Sequence, residues 1–363
     1  MIDWNGQYRI DWAVYLVNQD TWDEDGRINS VLSVSVDRDC TDSVPLLETA
    51  SMNIVSSLVD EFEDGWYRVV AYVYQDGLYE RHAITTQQFQ ISSDELDYGA
   101  SWATVNGQSA LLPAQETAMR DGSYLPKGAN GAEWVYEKLV SCLKCPVYLD
   151  GDGFTLERYV AYDSGDSILS ACWSVLDAGK WCLQIDGDGI VHILKKPVDP
   201  MLEVEVKLVN GTGNPSGTTR SDLSLILPGI KRSRGKAGVP NRYIAKDGDH
   251  TEIAENNDPT SPSSYQNVGR WIENGVDSSP SYVNGESLWA YSRRKLEEAS
   301  TLYRSYDYSR EYWPGVFPFD ILRASAYEYG FYGDLRIAKQ KLTLENGIKV
   351  QETANEEIKL WRA

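Results

Sequence analysis

Apolar and polar residues alternate with a period of two through most of the first 93 residues, the spacing of strands that bury one face. The pattern is clearest over 8–16, 30–36, 51–55, 67–74 and 81–86. Asp25-Gly26 and Asp76-Gly77 fall where hairpin turns need positive φ, so this stretch predicts an antiparallel β domain closed as a small barrel. Between 94 and 199 the spacing changes. Trp134, Leu139, Val140 and Leu143 make a helical stripe over 133–144, and Leu169, Cys172, Trp173 and Leu176 make another over 167–178, with Gly179 as its C-cap. Residues 181–185 and 190–194, separated by Asp186-Gly187-Asp188-Gly189, predict a hairpin.

Beyond 200 the strand pattern returns at 223–227, 321–326, 335–341 and 348–353. A Gly-, Thr-, Asn- and Ser-rich connection occupies 210–220, and a polar loop with two prolines occupies 256–264. One helix is expected near 287–304, with Leu288, Tyr291, Leu296 and Leu302 on one side. The chain therefore reads as mainly β with an α+β insertion. Its expected domains are a β barrel (1–93), an α+β segment (94–199) and a second β domain (200–363) that contains the helix.

A length of 363 residues with 42% hydrophobic content supports two or three cores. No run approaches 18 consecutive apolar residues, which excludes a membrane-spanning helix. Met1-Ile2-Asp3-Trp4-Asn5-Gly6 has neither the basic nor the apolar region of a secretory signal, so folding in a cytoplasm is expected. The net charge of -20 is uneven: residues 1–99 carry 5 basic and 19 acidic side chains, and residues 200–239 carry 6 basic and 3 acidic. Such an acidic first third repels phosphate backbones and argues against sequence-specific nucleic-acid binding.

Candidate chemistry is sparse. Cys142-Leu-Lys-Cys145 has half-zinc-site spacing that Cys172 and Cys182 would have to complete, but Cys142 and Cys172 lie on helical stripes where a thiol is ordinary core. With Cys40 the count is five, which does not suit a small disulfide framework. Asp150-Gly-Asp-Gly153 and Asp186-Gly-Asp-Gly189 resemble calcium loops without the later oxygen ligands, and turn chemistry accounts for both. Only His82, His192 and His250 are present, with no nucleophile, zincin or phosphate-loop motif. Asp60-Glu61-Phe62-Glu63-Asp64 supplies paired carboxylates of the kind a glycosidase uses, or a solvated loop. The 12 tryptophans and 23 tyrosines suit interfaces, buried faces or sugar stacking, and Tyr72, Tyr74 and Tyr79 form no cluster legible in sequence. Lys231-Arg232-Ser233-Arg234-Gly235-Lys236 reads as a flexible basic loop that meets an acidic neighbour.

Several segments in succession carry a resemblance. They are Pro240-Asn241-Arg242-Tyr243, Ala254-Glu255-Asn256-Asn257-Asp258-Pro259, Gly269-Arg270-Trp271-Ile272, a helix with Arg293-Arg294-Lys295-Leu296, a strand over 305–312, Phe317-Pro318-Phe319-Asp320-Ile321 and Gly333-Asp334-Leu335-Arg336-Ile337. Upstream, Trp173-Ser174-Val175-Leu176 leads to a hairpin that ends near Lys196-Pro197. In this order the chain resembles the baseplate hub and tail-tip proteins of tailed bacteriophages.

The resemblance implies two tail-tube-like β barrels per chain. It further implies a homotrimer whose ring adapts a hexameric tube to a threefold tip and forms part of the DNA channel. Implied partners are the distal tail protein or tail tube, the tape measure protein, and tip fibre or spike proteins. The implied location is the virion tail tip, assembled in the host cytoplasm. A chain that ends at Ala363, directly after the β module, implies no lytic or receptor-binding activity. No enzyme activity, catalytic residue, cofactor or metal is expected. The alternative is a carbohydrate-active protein, either a glycosidase or a sugar-binding module that presents tryptophans.

Overall fold

A computed structural model describes residues 2, 4, 7–41, 46–55, 62–90, 102–120, 122–163, 165–206, 223–227, 229–234, 238–326 and 331–362. The first seven strands are β1 (Arg9–Val17), β2 (Glu24–Ile28), β3 (Val31–Asp39), β4 (Glu48–Val55), β5 (Gly65–Gln75), β6 (Leu78–Gln90) and β7 (Trp102–Gln108). A mixed stretch follows with α1 (Leu112–Glu116), β8 (Tyr124–Leu125), α2 (Gly131–Val140), β9 (Val147–Asp150), β10 (Val160–Ala161), α3 (Ile168–Gly179), β11 (Trp181–Ile185) and β12 (Val191–Lys195). Next come β13 (Leu202–Val206), β14 (Leu223–Ile226), β15 (Lys231–Arg234), β16 (Arg242–Asp247), β17 (His250–Glu255), α4 (Tyr265–Val268) and β18 (Glu273–Asp277). The chain closes with α5 (Leu288–Ala299), β19 (Thr301–Arg310), β20 (Ile321–Ala326), β21 (Phe331–Leu344) and β22 (Ile348–Lys359).

The mainly β expectation holds, but the two expected barrels are replaced by something else. One 14-stranded sheet runs β15-β19-β14-β13-β20-β21-β3-β4-β7-β6-β5-β1-β2, with β22 paired to β19 and β21. The join lies between β21 and β3, from Lys339↔Asp39 to Leu344↔Val34. The later strands come back on themselves only through the single pair Ile226↔Arg310. In the earlier set β1 and β2 pair only over Val14–Val17, beyond which β2 turns away into β3. Neither set closes into a barrel among the described residues.

The cores follow from alternation. Val34, Val36, Met52, Ile54, Val69, Ala71 and Val73 share one core with Leu342, Leu344 and Val350, so the tip of the β21–β22 hairpin completes the core of the first half. A second core lies around α2, α3, β11 and β12, and a third joins β13, β19, β20 and β21. The small sheet β17-β16-β18 carries α5 on one side through Tyr243, Ala254 and Leu296. Among the described residues no helix is long and apolar enough to cross a membrane.

Several local expectations are corrected. Asp76 and Gly77 take positive φ in the β5–β6 turn, as read, but Asp25-Gly26 lies inside β2, and the β1–β2 turn is built instead around Asn18 and Trp22 (φ 63°). The helix that starts at Ser167 ends with Lys180, not Gly179, in the left-handed conformation. Gly179 is required for space, since a Cβ there would lie 2.5 Å from the Phe154 ring. The helix expected near 287–304 stops at Ala299, and Thr301–Arg310 is strand β19. The 256–264 polar loop is present as read, with residues 257–260 and 262 exposed and Asn256, Ser261, Ser263 and Ser264 buried. The 210–220 connection lies outside the described residues.

Candidate functional site

The cysteines do not converge on a metal. Among the described residues no group of three or more His, Cys, Asp and Glu side chains is placed to hold an ion. All five cysteines are free thiols, and Cys145, Cys172 and Cys182 are buried in the core around the helices. Burial pushes the Cys40 thiol up to about 11 and those of Cys145 and Cys182 up to about 12, which removes their nucleophilic form near neutrality.

The Asp186-Gly-Asp-Gly189 motif is a turn and Asp150-Gly-Asp-Gly153 is an irregular bend at the end of β9, and the two meet at a residue that sequence reading left unassigned. His192 on β12 lies between Asp150 (Nδ1–Oδ2, 2.9 Å) and Asp186 (Nε2–Oδ2, 3.3 Å). The hydrogen bond with Asp186, aided by Asp150, holds the imidazole above its ordinary range in spite of partial burial. The 186–189 turn is also a docking element. Its Asp188 carbonyl accepts from Trp22 Nε1 (2.7 Å) and Arg68 Nη2 (3.1 Å), and its Gly187 carbonyl accepts from Thr86 Oγ1 (3.0 Å). Gln184 on β11 makes a comparable link to the later strands, donating to Pro318 O and to Asp320 Oδ1, each at 3.1 Å. The α+β segment is thereby pinned to both halves of the large sheet.

Where the halves meet, a buried ionic relay crosses the junction. Arg38 Nε donates to Glu48 Oε2 (3.1 Å), and Arg38 Nη1 donates to Gln340 Oε1 (2.6 Å). The Gln340 amide then donates to Glu352 Oε1 (2.8 Å), which also receives Arg310 Nη2 (2.7 Å). All five side chains are buried, so the charges are desolvated and their pairing is obligatory. Sequence reading missed this relay although it left a signal. Each member continues the inward parity of its strand: Arg38 after Val34 and Val36, Glu48 before Ala50 and Met52, Gln340 before Leu342, Glu352 between Val350 and Ala354, Arg310 after Tyr306 and Tyr308.

The segments that carried the resemblance pin the small sheet to its surroundings. Asn241 is fully buried, accepts from the Ile272 N–H (2.8 Å) and donates to the Arg270 carbonyl (3.0 Å). Asn256 donates to Ser261 Oγ (2.8 Å), whose hydroxyl donates to the Leu360 carbonyl (2.6 Å) near the end of the chain. Trp271 stacks on Tyr265 (4.5 Å between centroids) and lies under the Arg242 guanidinium, itself paired with Glu255 and Glu273. On α5, Arg293 covers Trp289 and Trp361, while Arg294 bonds both carboxylate oxygens of Glu286 at 2.9 Å.

Of the remaining candidates, Asp60 and Glu61 lie outside the described residues, Phe62 is buried against Tyr67, and the Glu63 carbonyl accepts from Tyr67 Oη (2.6 Å). The structure does gather Tyr72, Tyr74 and Tyr79, which sequence reading left unclustered. They form an aromatic group at the β5–β6 hairpin, with centroids 5.8 Å (Tyr72–Tyr79) and 5.4 Å (Tyr74–Tyr79) apart and Arg9 over Tyr74. Lys231–Arg234 is an edge strand and not a flexible loop, while Gly235 and Lys236 lie outside the described residues.

No protein-family profile and no curated protein matches the chain. Solved structures do. A tail protein from Neisseria meningitidis MC58 superposes with a TM-score of 0.66 over 96% of each chain, at 10% identity. The 43 kDa tail protein of prophage MuSo2 from Shewanella oneidensis gives 0.59 over 98% of this chain and 99% of that one, at 9% identity. Prophage tail protein gp18 from Listeria monocytogenes EGD-e gives 0.54 over 94% of each, at 11% identity.

Proposed function

We propose that this chain, which has the fold of phage and prophage tail proteins, is a structural component of a tail tip. The observation that carries the reading is the end-to-end likeness to a tail protein, covering 96% of both chains. In this reading three copies form a hub ring that joins a hexameric tail tube or distal tail ring to a threefold tip and encloses part of the DNA channel. The large sheet, built from 1–93, β7 and 200–363, supplies the wall, and the rest of 94–199 braces it through the docked 186–189 turn. The excess of acidic residues in the first third suits a lumen that repels the passing phosphate backbone. Partners are the distal tail protein or tube, the tape measure protein, and a fibre or spike at the tip, with assembly in the host cytoplasm before incorporation into the virion. The relay and the small-sheet pins are structural roles, so the chain acts without catalysis.

Light scattering together with electron microscopy of the purified chain tests this. A threefold ring, alone or with the distal tail protein, is the expected result. A monomer at all concentrations that forms no ring with that partner overturns the reading.

A further inference from the structure

The two ends of the 14-stranded path carry opposite charge. At one end β15 pairs only with β19, from Lys231↔Asp307 to Arg234↔Arg304, so its other edge has no strand partner among the described residues. Lys231, Arg232 and Ser233 are exposed, and neither Lys231 nor Arg232 forms an ion pair with a described residue. At the other end β2 pairs only with β1, and a Cβ added at Gly26 would meet nothing within 4 Å. Asp20, Asp23 and Asp25 are exposed there and likewise unpaired with any described cation, whereas Glu24 is taken up by Arg68 and Arg81. Arg27 is the one cation on that strand.

Charged residues on an edge strand ordinarily keep it from pairing, because like edges repel. The same charges favour an edge of opposite sign. With four and five residues, each edge offers roughly 13–17 Å of unpaired backbone, at about 3.3 Å per residue. We propose that β15 of one copy pairs edge to edge with β2 of a second copy of this chain, so that the sheet continues from subunit to subunit. Two different edges meet in this contact, which makes it head to tail and closes it into a ring when the rotation per copy allows. The inference rests on the ring reading above and adds which strands meet.

Charge exchange tests it. Lys231→Glu with Arg232→Glu gives a chain with two acidic edges, and Asp23→Lys with Asp25→Lys gives one with two basic edges. Each pair of changes is expected to weaken self-association at least tenfold in sedimentation equilibrium, with an unchanged far-ultraviolet spectrum. The fourfold variant keeps the net charge of -20 and restores opposite edges, so it should recover the ring. Raising salt should loosen the wild-type ring, since these charges are exposed. Rings of wild-type strength in both paired variants, or a folded fourfold variant that stays monomeric, overturn the edge assignment while leaving the ring reading intact. Rings that persist but lose capture of the distal tail protein when β15 is changed assign that edge to the other protein, and also overturn it. A wild-type chain that never assembles removes the ring reading and this inference together.

Discussion

At Gly187 there is no room for a methyl group: a Cβ would lie 1.9 Å from the Ala83 carbonyl oxygen on β6. Gly187→Ala must push the 186–189 turn off the sheet, and a loss of about 1–3 kcal/mol is expected from the forced shift. Gly26→Ala, with open space around it, should stay within about 0.5 kcal/mol of wild type. Urea unfolding of the two variants side by side checks the contrast. His192 adds a pH dependence to the same turn. Asp150 and Asp186 are the charged groups that face it, with the Tyr148 ring alongside at 5.8 Å, and its folded pKa is raised. Its stabilisation is therefore complete below the ordinary imidazole value of about 6.5 and is lost as pH rises through the elevated one. The stability gap between wild type and His192→Gln should be widest near pH 5.5 and should narrow towards pH 8.5; a gap that widens with pH contradicts the clamp. The relay makes a larger demand. Glu352→Gln leaves Arg310 buried with no countercharge, at a cost of about 3–5 kcal/mol, whereas exchanging both for apolar residues of similar volume costs much less. Thermal and urea unfolding of the single and double variants distinguish a buried pair from ordinary packing.

Strands that alternate strongly were legible in sequence, because burial of one face imposes a period of two: β1, β3, β4, β5 and β6 lie where the pattern put them. The elements that were misread are those where a distant partner decides. The apolar spacing from Leu288 to Leu296 carries on to Leu302, so pattern alone extends the helix, yet Thr301–Arg310 pairs along its whole length with β22 and becomes strand. Ser300 closes α5 at that point by donating its hydroxyl to the Leu296 carbonyl at 2.5 Å. Likewise nothing local announces that β21 continues the sheet at β3, some 300 residues away. That pairing puts Leu344, fully buried and opposite Val34, into the core of the first half. Leu344→Ala is expected to cost about 2–5 kcal/mol for the lost contacts and the cavity. Hydrogen exchange locates the damage: amides of β1 and β3 should exchange faster along with those of β21, and protection lost only within β21 and β22 refutes the shared core.

At the scale of the molecule, the polar positions that puzzle a linear reading make sense as joints. Asn241, Ser261, Gln184 and the Arg38–Gln340–Glu352 relay each tie together segments that are well separated in sequence, and none of those partners can be inferred from neighbours in the chain. The 1–93 boundary was placed where the pattern changes, a local criterion, whereas stability follows contacts without regard to sequence distance. The first seven strands lack one wall of their own core, which Leu342, Leu344 and Val350 supply, and Trp12 Nε1 donates to the Glu345 carbonyl (3.0 Å) at the same hairpin. A fragment of residues 1–110 would expose that apolar face to water and would leave Arg38 without Gln340. Expressed alone, the fragment is expected to show no cooperative urea transition and little amide protection, while the full chain shows both. Adding a peptide that spans 331–359 should restore part of the protection in β1 and β3, because the missing wall and the Gln340 and Glu352 side chains return together. A fragment that unfolds cooperatively without the peptide would mean that the first half carries its core unaided and that the β21–β3 join contributes to shape alone.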